Sequence, residues 1–218
     1  MAVTRKPQNG RETNLPLGPQ FLAAIKLAAR CHADHKRKGT EIPYLAHLLA
    51  VSGLVLQAGG DEEEAIAALL HDVLEDRPKC VTPREIEDRF GNRVLEIVTG
   101  CSDGLPEESG ESPKRNADNW HKRKTRYIAH LAEVDSSVLR VSCADKVDNA
   151  RAIVADLRRH GDDLWKRFNA TRDLQLWYYR GLVDAFRSRR DDLGDDAVWL
   201  VDELERLVGV MGGLAEGI

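Results

Sequence analysis

DEEEAIAALLHDVLED, residues 61–76, carries the signals of a helix at both of its ends. Asp61 can cap the first turn, and the three glutamates after it interact favourably with the positive end of the helix dipole. Arg77-Pro78 stops the pattern because proline cannot continue a helix. We therefore predict one helix over residues 61–76, whose apolar face needs other helices to pack against.

Apolar residues recur at helical spacing in nearly every other segment from Leu17 onward. Glycines end several of these segments, as Gly59-Gly60 does before Asp61 and Gly161 does after a long pattern. Alternation of apolar and polar residues, which would indicate strands, is not convincing anywhere. The sequence predicts an all-α fold, a single-domain helical bundle over residues 17–218.

Two segments lack this pattern, and a third carries it without interruption. Residues 1–16 have no apolar periodicity and are expected to form a flexible leader. Residues 104–117 are rich in Gly, Pro and Ser, which predicts a mobile loop. Residues 162–190 form one continuous helical pattern whose middle, RFNATRDLQLWYYRGLVDAF, has no motif with a chemical interpretation. We expect its aromatic residues to lie in the core or in an interface.

The composition excludes several classes of protein. The chain has 218 residues, enough for one large domain with a sizeable core. Its net charge of −4 argues against a protein that coats DNA. It lacks an apolar run of the ~20 residues that a membrane span needs, and its polar N-terminus is unlike a secretory signal. We expect a cytoplasmic protein whose four cysteines, none of them in a CxxC pair, are reduced.

Four ionisable side chains interrupt the apolar part of residues 61–76. They form two pairs one turn apart, His71-Asp72 and Glu75-Asp76. Residues four apart share a helix face, so the four groups emerge together among leucines and a valine. Burying carboxylates is unfavourable unless a cation compensates their charge, and a divalent metal does so directly. The alternative is a polar helix end with solvated acids.

Two further segments offer ligands for the same ion. His47 lies among leucines in PYLAHLLAV, where it is either a ligand or a hydrogen-bonded core histidine. Asp145 and Asn149 are four apart in SCADKVDNARA and share a face. Asp145 either completes the ligand set or pairs with Lys146 or Arg151 in a surface network. Mixed imidazole and carboxylate ligands suit Mn²⁺, Fe²⁺ or Zn²⁺.

Basic residues form two clusters, HKRKG at 35–39 and HKRKTR at 121–126. Several cations together can bind a multiply charged phosphate, although such clusters are also common on solvated helix faces. Trp120, beside the second cluster, either stacks on a nucleobase or belongs to the core.

These motifs, taken in order, resemble those of the HD phosphohydrolase superfamily, most closely the hydrolase domain of the RelA/SpoT alarmone enzymes and the stand-alone small alarmone hydrolases. The resemblance is carried by RK, then PY-x-x-H, then LLHD-x-x-ED, then ADK-x-x-N, within residues 20–155. It implies a helical bundle that hydrolyses the 3′-pyrophosphate of ppGpp or pppGpp, giving GDP or GTP and pyrophosphate. It also implies that no cofactor beyond the metal is needed.

The resemblance also implies a role for individual residues. One Mn²⁺ would be held by His47, His71, Asp72 and Asp145. The attacking water would be oriented or deprotonated by Glu75 and Asp76. The substrate would be contacted by Arg37, Lys38 and Asn149, the first two through the guanine base and phosphates. We expect a small-molecule nucleotide as partner, no nucleic acid and no membrane, and we leave a homo-oligomer open.

The sequence departs from the family at positions linked to base recognition and beside His47. The family usually has HP where this chain has His47-Leu48, and often a threonine where this chain has Ala152. Asp103 stands at a position that is often basic. A hydrolase of another nucleotide, such as a 3′-phosphorylated nucleotide or NADPH, is therefore an alternative. A catalytically inactive nucleotide-binding regulator is a weaker one, because the metal and acid positions are retained.

Overall fold

The computed structural model describes residues 17–102 and 117–216. The expected leader, 1–16, lies outside the described residues, as does the expected loop, 104–117, except for Ala117. The described residues form ten α-helices and two 3₁₀ helices, at Gly161–Arg167 and Arg190–Leu193. The α-helices, in chain order, are α1 Pro19–Cys31, α2 Tyr44–Gln57, α3 Glu62–Leu70, α4 Val73–Asp76, α5 Pro83–Phe90, α6 Asn92–Gly100, α7 Ala117–His130, α8 Ser136–His160, α9 Arg172–Ser188 and α10 Val198–Glu216.

The all-α prediction is confirmed, since the described segments contain no strand beyond an isolated bridge between Lys36 and Pro43. The longest helix, α8, lies at the centre and packs against α2, α3, α6 and α10. Asp135 caps its start by accepting a hydrogen bond from the backbone N–H of Ser137, and Gly161 ends it with a φ of 54°. The alanines and valines on the buried face of α8 allow the surrounding helices to approach closely.

The single helix predicted over residues 61–76 is interrupted, and that prediction is wrong in this respect. The start is as expected, with a capping box formed by Asp61 and Glu64. The chain leaves the helix at His71 and Asp72, where Asp72 has φ −98° and ψ −4°, and re-enters it as α4. Consecutive side chains on a regular helix point about 100° apart. The interruption instead brings His71 Nε2 within 2.9 Å of an Asp72 carboxylate oxygen.

The continuous helical pattern over residues 162–190 is also divided in the structure. The segment begins as a 3₁₀ helix, becomes extended at Phe168 and resumes as α9 after Thr171, which caps α9 by accepting from the N–H of Leu174. Thr171 therefore supplies a helix start that the apolar spacing alone did not reveal. The division turns Phe168 toward a cavity that Arg37 and Lys38 also line.

Two of the four cysteines form a disulfide, which contradicts the expectation that all are reduced. Cys31 at the end of α1 is bonded to Cys80 after α4, with Cα atoms 5.5 Å apart. They are 49 residues apart in sequence, so a search for CxxC spacing could not pair them. Cys101 and Cys143 are free.

Among the described helices, none combines the length and the apolar character needed to cross a bilayer.

Candidate active site

Three helical segments bring two histidines and two aspartates to one point. His47 comes from α2, His71 and Asp72 from the break after α3, and Asp145 from the middle of α8. Ligand atoms of the first three lie within 4.8 Å of one another. Asp145 Oδ1 lies 3.2 Å from His47 Nε2 and 3.6 Å from His71 Nε2. The structure thus brings together all four residues that the sequence indicated as ligands, although nothing in their spacing required it.

The two imidazoles are oriented by hydrogen bonds at their other nitrogens. His47 Nδ1 lies 2.6 Å from Asp148 Oδ2, and His71 Nδ1 lies 2.9 Å from the carbonyl oxygen of Ala68. Both acceptors favour a proton on Nδ1, which leaves each Nε2 as the ring atom available to bind a cation. Both Nε2 atoms are buried and have no hydrogen-bond partner among the described residues. Two unpartnered nitrogens beside two carboxylates fit a divalent cation well.

Asp145 is held by donors on its own helix. Lys146 Nζ lies 2.5 Å from Asp145 Oδ2, and the Asn149 amide donates to Asp145 Oδ1 at 2.5 Å. Burial raises the pKa of Asp145, but Lys146 and the two histidines outweigh burial and hold it well below its usual range. The pair with Lys146 that the sequence left open does form, but it is buried and is not part of a surface network. Arg151 instead pairs with Glu203, at 3.2 Å.

Asp72 is positioned by the hydroxyl of Tyr44, which donates to its Oδ2. The Tyr44 ring is stacked on His35, with ring centroids 4.0 Å apart, and on His32. Burial, followed by the charges of Asp72 and Asp76, raises the pKa of Tyr44 far above its ordinary value. Tyr44 is therefore a neutral hydrogen-bond donor, and it fixes the direction in which the Asp72 carboxylate points.

A polar cavity of about 200 Å³ opens beside the cluster. Glu75 and Asp76, the two acids that the sequence singled out for proton transfer, line it together with Asp72 and Asp145. Ser102 donates to Glu75 Oε2 at 2.5 Å. Cys101 also lines the cavity, and burial raises the pKa of its thiol to about 11, so without a metal it is a neutral thiol at neutral pH.

A second cavity, of about 320 Å³, adjoins the first and shares four of its lining residues. This volume is in the range of small-molecule sites. The shared residues are Tyr44, Lys124, Lys146 and Asn149. Its other walls are basic and aromatic side chains, among them Arg37, Lys38, Trp120, Phe168, Tyr178 and Tyr179. The combination of cations and ring faces suits a phosphorylated compound that carries a base.

Arg37, Lys38 and Asn149, the predicted substrate contacts, all line this larger cavity. Arg37 donates to Asp148 and Asn149, and Lys38 donates to Asn169 and lies over the Phe168 ring. Their roles as substrate contacts stay a prediction. Nothing in the sequence indicated that Arg37 is bonded to Asp148 and Asn149, which in turn contact His47 and Asp145.

Sequence reasoning missed four residues that shape the site. Asp148 lies three residues after Asp145 on α8, a spacing that could have placed it on the same face. Lys146 was considered only as part of a surface pair, and Tyr44 only as part of a motif. Nothing in the sequence indicated that Phe168 lines a cavity, because its position depends on the interruption before α9.

A model of the HD domain matches residues 24–175 of this chain. A guanosine-3′,5′-bis(diphosphate) 3′-pyrophosphohydrolase of Aquifex aeolicus is 37% identical over 131 residues, which are 60% of this chain. The match covers 17% of the Aquifex protein, so the chain spans only a small part of that relative's length.

Two solved structures resemble the chain over most of its length. A structure described as a metazoan ortholog of SpoT that hydrolyzes ppGpp has a TM-score of 0.67 and 26% identity, and the match covers 91% of this chain and 99% of that one. A structure of lmo0812 from Listeria monocytogenes has a TM-score of 0.60 and 27% identity, with 74% and 96% covered. Motifs, fold and domain model therefore agree.

Proposed function

The chain belongs to the HD domain family, and we propose that it is a metal-dependent hydrolase of the alarmones ppGpp and pppGpp. It would remove the 3′-pyrophosphate and release GDP or GTP together with pyrophosphate. The observation that carries this proposal is the direct connection between the His-Asp cluster and the basic, aromatic cavity of about 320 Å³. A nucleotide whose base occupies the larger cavity can place its phosphates beside the cluster.

In this proposal the metal is held by His47, His71, Asp72 and Asp145, and it is Mn²⁺. The support is chemical, because two unpartnered imidazole nitrogens and two carboxylates form a donor set that suits this ion. When bound, the metal would act as a Lewis acid on the phosphoryl oxygen and lower the pKa of a bound water. Other divalent metals have the same chemistry, so metal identity is a separate question from metal dependence.

The acids of the smaller cavity would manage the protons of the reaction. Glu75 and Asp76 line this cavity together with Asp72 and Asp145, and we assign to them the orientation of the attacking water and the acceptance of its proton. The oxygen of that water forms a bond to phosphorus, the bond from phosphorus to the ribose 3′-oxygen breaks, and the 3′-oxygen takes up a proton. Lys124 and Lys146 line both cavities and would offset negative charge on the phosphates.

Base and ribose would occupy the larger cavity. Arg37 and Lys38 bring two positive charges to its wall, Asn149 offers an amide, and Phe168 and Tyr179 offer ring faces. Ala152 also lines it, at the position where the family often has threonine. The lining residues therefore support hydrolysis of the pyrophosphate group more strongly than they support recognition of guanine over another base.

A nucleotide panel tests this proposal. The protein is loaded with Mn²⁺ and incubated with ppGpp, pppGpp, other 3′-phosphorylated nucleotides and NADPH, and the products are resolved by ion-exchange chromatography. We expect GDP or GTP and pyrophosphate in equal amounts from the two alarmones. Orthophosphate release from another nucleotide, with ppGpp left intact, would replace the alarmone proposal by a phosphatase of that nucleotide. Binding without turnover of any compound would favour the regulator.

The proposal also includes the oligomeric state of the protein and its location in the cell. A homo-oligomer is tested by sedimentation velocity of the purified protein. A cytoplasmic location is tested by fractionation of the cells that make it.

A further inference from the structure

Arg37 occupies an unusual position between the two cavities. It lines the larger one, yet its guanidinium is bonded to two residues that contact metal-site side chains. We infer that Arg37 is a positioning residue for the metal cluster, in addition to any contact with substrate. The inference rests on the proposed metal site and deepens it, because it connects occupation of the nucleotide cavity to the geometry of the ligands.

The first connection leads to His47. Arg37 Nη1 donates to Asp148 Oδ2 at 3.0 Å, and the same oxygen lies 2.6 Å from His47 Nδ1. Asp148 therefore keeps the proton of His47 on Nδ1 and the lone pair on Nε2, where a metal would bind. Arg37 holds the carboxylate in place and compensates its charge. The side chains of Arg37 and Asp148 are only 16% and 19% exposed, so solvent screens this pair weakly.

The second connection leads to Asp145. Arg37 Nη2 donates to Asn149 Oδ1 at 2.9 Å, and the amide nitrogen of Asn149 donates to Asp145 Oδ1 at 2.5 Å. Asn149 is thereby fixed in one orientation, with its oxygen toward Arg37 and its nitrogen toward the ligand oxygen. One guanidinium thus orients two of the four ligand residues, through two adjacent residues of α8.

Arginine is suited to this arrangement and lysine is not. The guanidinium is planar and directs its N–H groups along fixed lines, so it can bond two separate acceptors at once. The neighbouring Lys38 provides a contrast, because its ammonium donates to Asn169 and lies over the Phe168 ring, and it has no hydrogen bond to the proposed ligands or to Asp148 and Asn149 in the described part of the chain.

The test compares Arg37→Gln with Lys38→Gln, two neighbouring substitutions that remove the same charge from the same cavity. Mn²⁺ binding to the full chain is measured by calorimetry and by electron paramagnetic resonance of free Mn²⁺, without any nucleotide. We expect Arg37→Gln to weaken Mn²⁺ binding by about 10- to 100-fold, the usual effect of losing a residue that orients a ligand. Lys38→Gln should bind Mn²⁺ like the parent protein. Equal Mn²⁺ affinity in both variants would overturn the inference.

A spectroscopic signature separates positioning from general loss of structure. In the Zn²⁺-loaded protein, ¹⁵N NMR of His47 should report a protonated Nδ1 with a strongly downfield proton. Asp148→Asn and Arg37→Gln should each shift that resonance, and the double variant should bind Mn²⁺ little more weakly than Asp148→Asn alone. An unshifted His47 resonance in Arg37→Gln would contradict the inference. A parent protein that binds no Mn²⁺ would instead refute the proposed function itself, so the two failures are distinguishable.

Discussion

The two adjoining cavities are built on different principles. The smaller one is lined by acids, and the His-Asp cluster beside it is already held in place. Asp148 bonds His47, Tyr44 donates to Asp72, and Asp145 accepts from Lys146 and Asn149. The larger one is lined largely by aromatic rings and cations, among them Trp120, Phe168 and Lys38, and it contains none of the four proposed metal ligands. The difference teaches that one region is organised for chemistry before any ligand arrives, whereas the other provides surface for binding. Substitutions should therefore affect turnover in the first region and affinity in the second.

Removal of a cluster carboxylate should have the largest effect. Asp72→Ala removes a proposed metal ligand, the carboxylate that lies 2.9 Å from His71 Nε2. We therefore expect loss of bound metal and of measurable hydrolysis. The metal content of the purified protein, by mass spectrometry, and the rate of pyrophosphate release check this. Asp173→Ala, which removes a highly exposed aspartate on α9, is the control and should change neither. Unaltered metal content in Asp72→Ala would disprove the ligand assignment.

Substitution of the two cavity acids should separate chemistry from metal binding. Glu75→Gln and Asp76→Asn keep the size of each side chain but remove its ability to accept a proton. We expect kcat to fall by about 10²- to 10⁴-fold, the usual contribution of a general base, while Mn²⁺ stays bound. Steady-state kinetics on ppGpp and metal analysis of the same samples measure both quantities. If neither variant slows turnover, proton transfer belongs to another group.

A change in the wall of the larger cavity should act on affinity. Phe168→Leu removes a ring face, and stacking of a base on an aromatic ring is worth ~1–3 kcal/mol, so KM should rise by about tenfold with kcat nearly unchanged. Phe21→Leu on α1 is the matched control, since Phe21 packs against the core and lines neither cavity. A fall in kcat at constant KM would show that the two cavities are not separate in function.

The smallest effect is expected far from both cavities, at the start of the helix that they share. Asp135→Ala removes the cap of α8 and should destabilise the protein by ~1 kcal/mol, or about 2–4 °C in Tm, without changing KM or kcat. The N–H of Ser137 lowers the pKa of Asp135, so this stabilisation is complete above the usual aspartate pKa and is lost as the pH falls through the lowered value. Thermal melts should therefore show a lower Tm for Asp135→Ala than for the parent protein at pH 7, and the two Tm values should converge as the pH is lowered. A difference that persists in acid would contradict this account of the cap.

The parts that the sequence predicted are those with local signals. The start of α3 follows from the capping residue Asp61, and the end of α8 follows from Gly161. The four proposed ligands could be singled out, and are found together, because polar residues in apolar helices stand out and because their order matched a family. None of this required knowledge of which helices pack together.

The parts that were missed depend on contacts between distant residues. Asp148 was not singled out, because its partner, His47, is 101 residues away in the sequence. The disulfide joins Cys31 and Cys80 only because α1 ends beside the turn after α4. The break at His71 does not show in a hydrophobic pattern, since residues on both sides of it are buried. Tertiary packing, rather than local preference, determines all three.

The central claim is that this cluster directs water to the phosphorus next to the ribose 3′-oxygen. Hydrolysis of ppGpp in H₂¹⁸O by the Mn²⁺-loaded protein, followed by mass spectrometry of the products, tests it most directly. We predict one ¹⁸O atom in each pyrophosphate and none in GDP. Labelled orthophosphate, labelled GDP or the absence of turnover would contradict the claim.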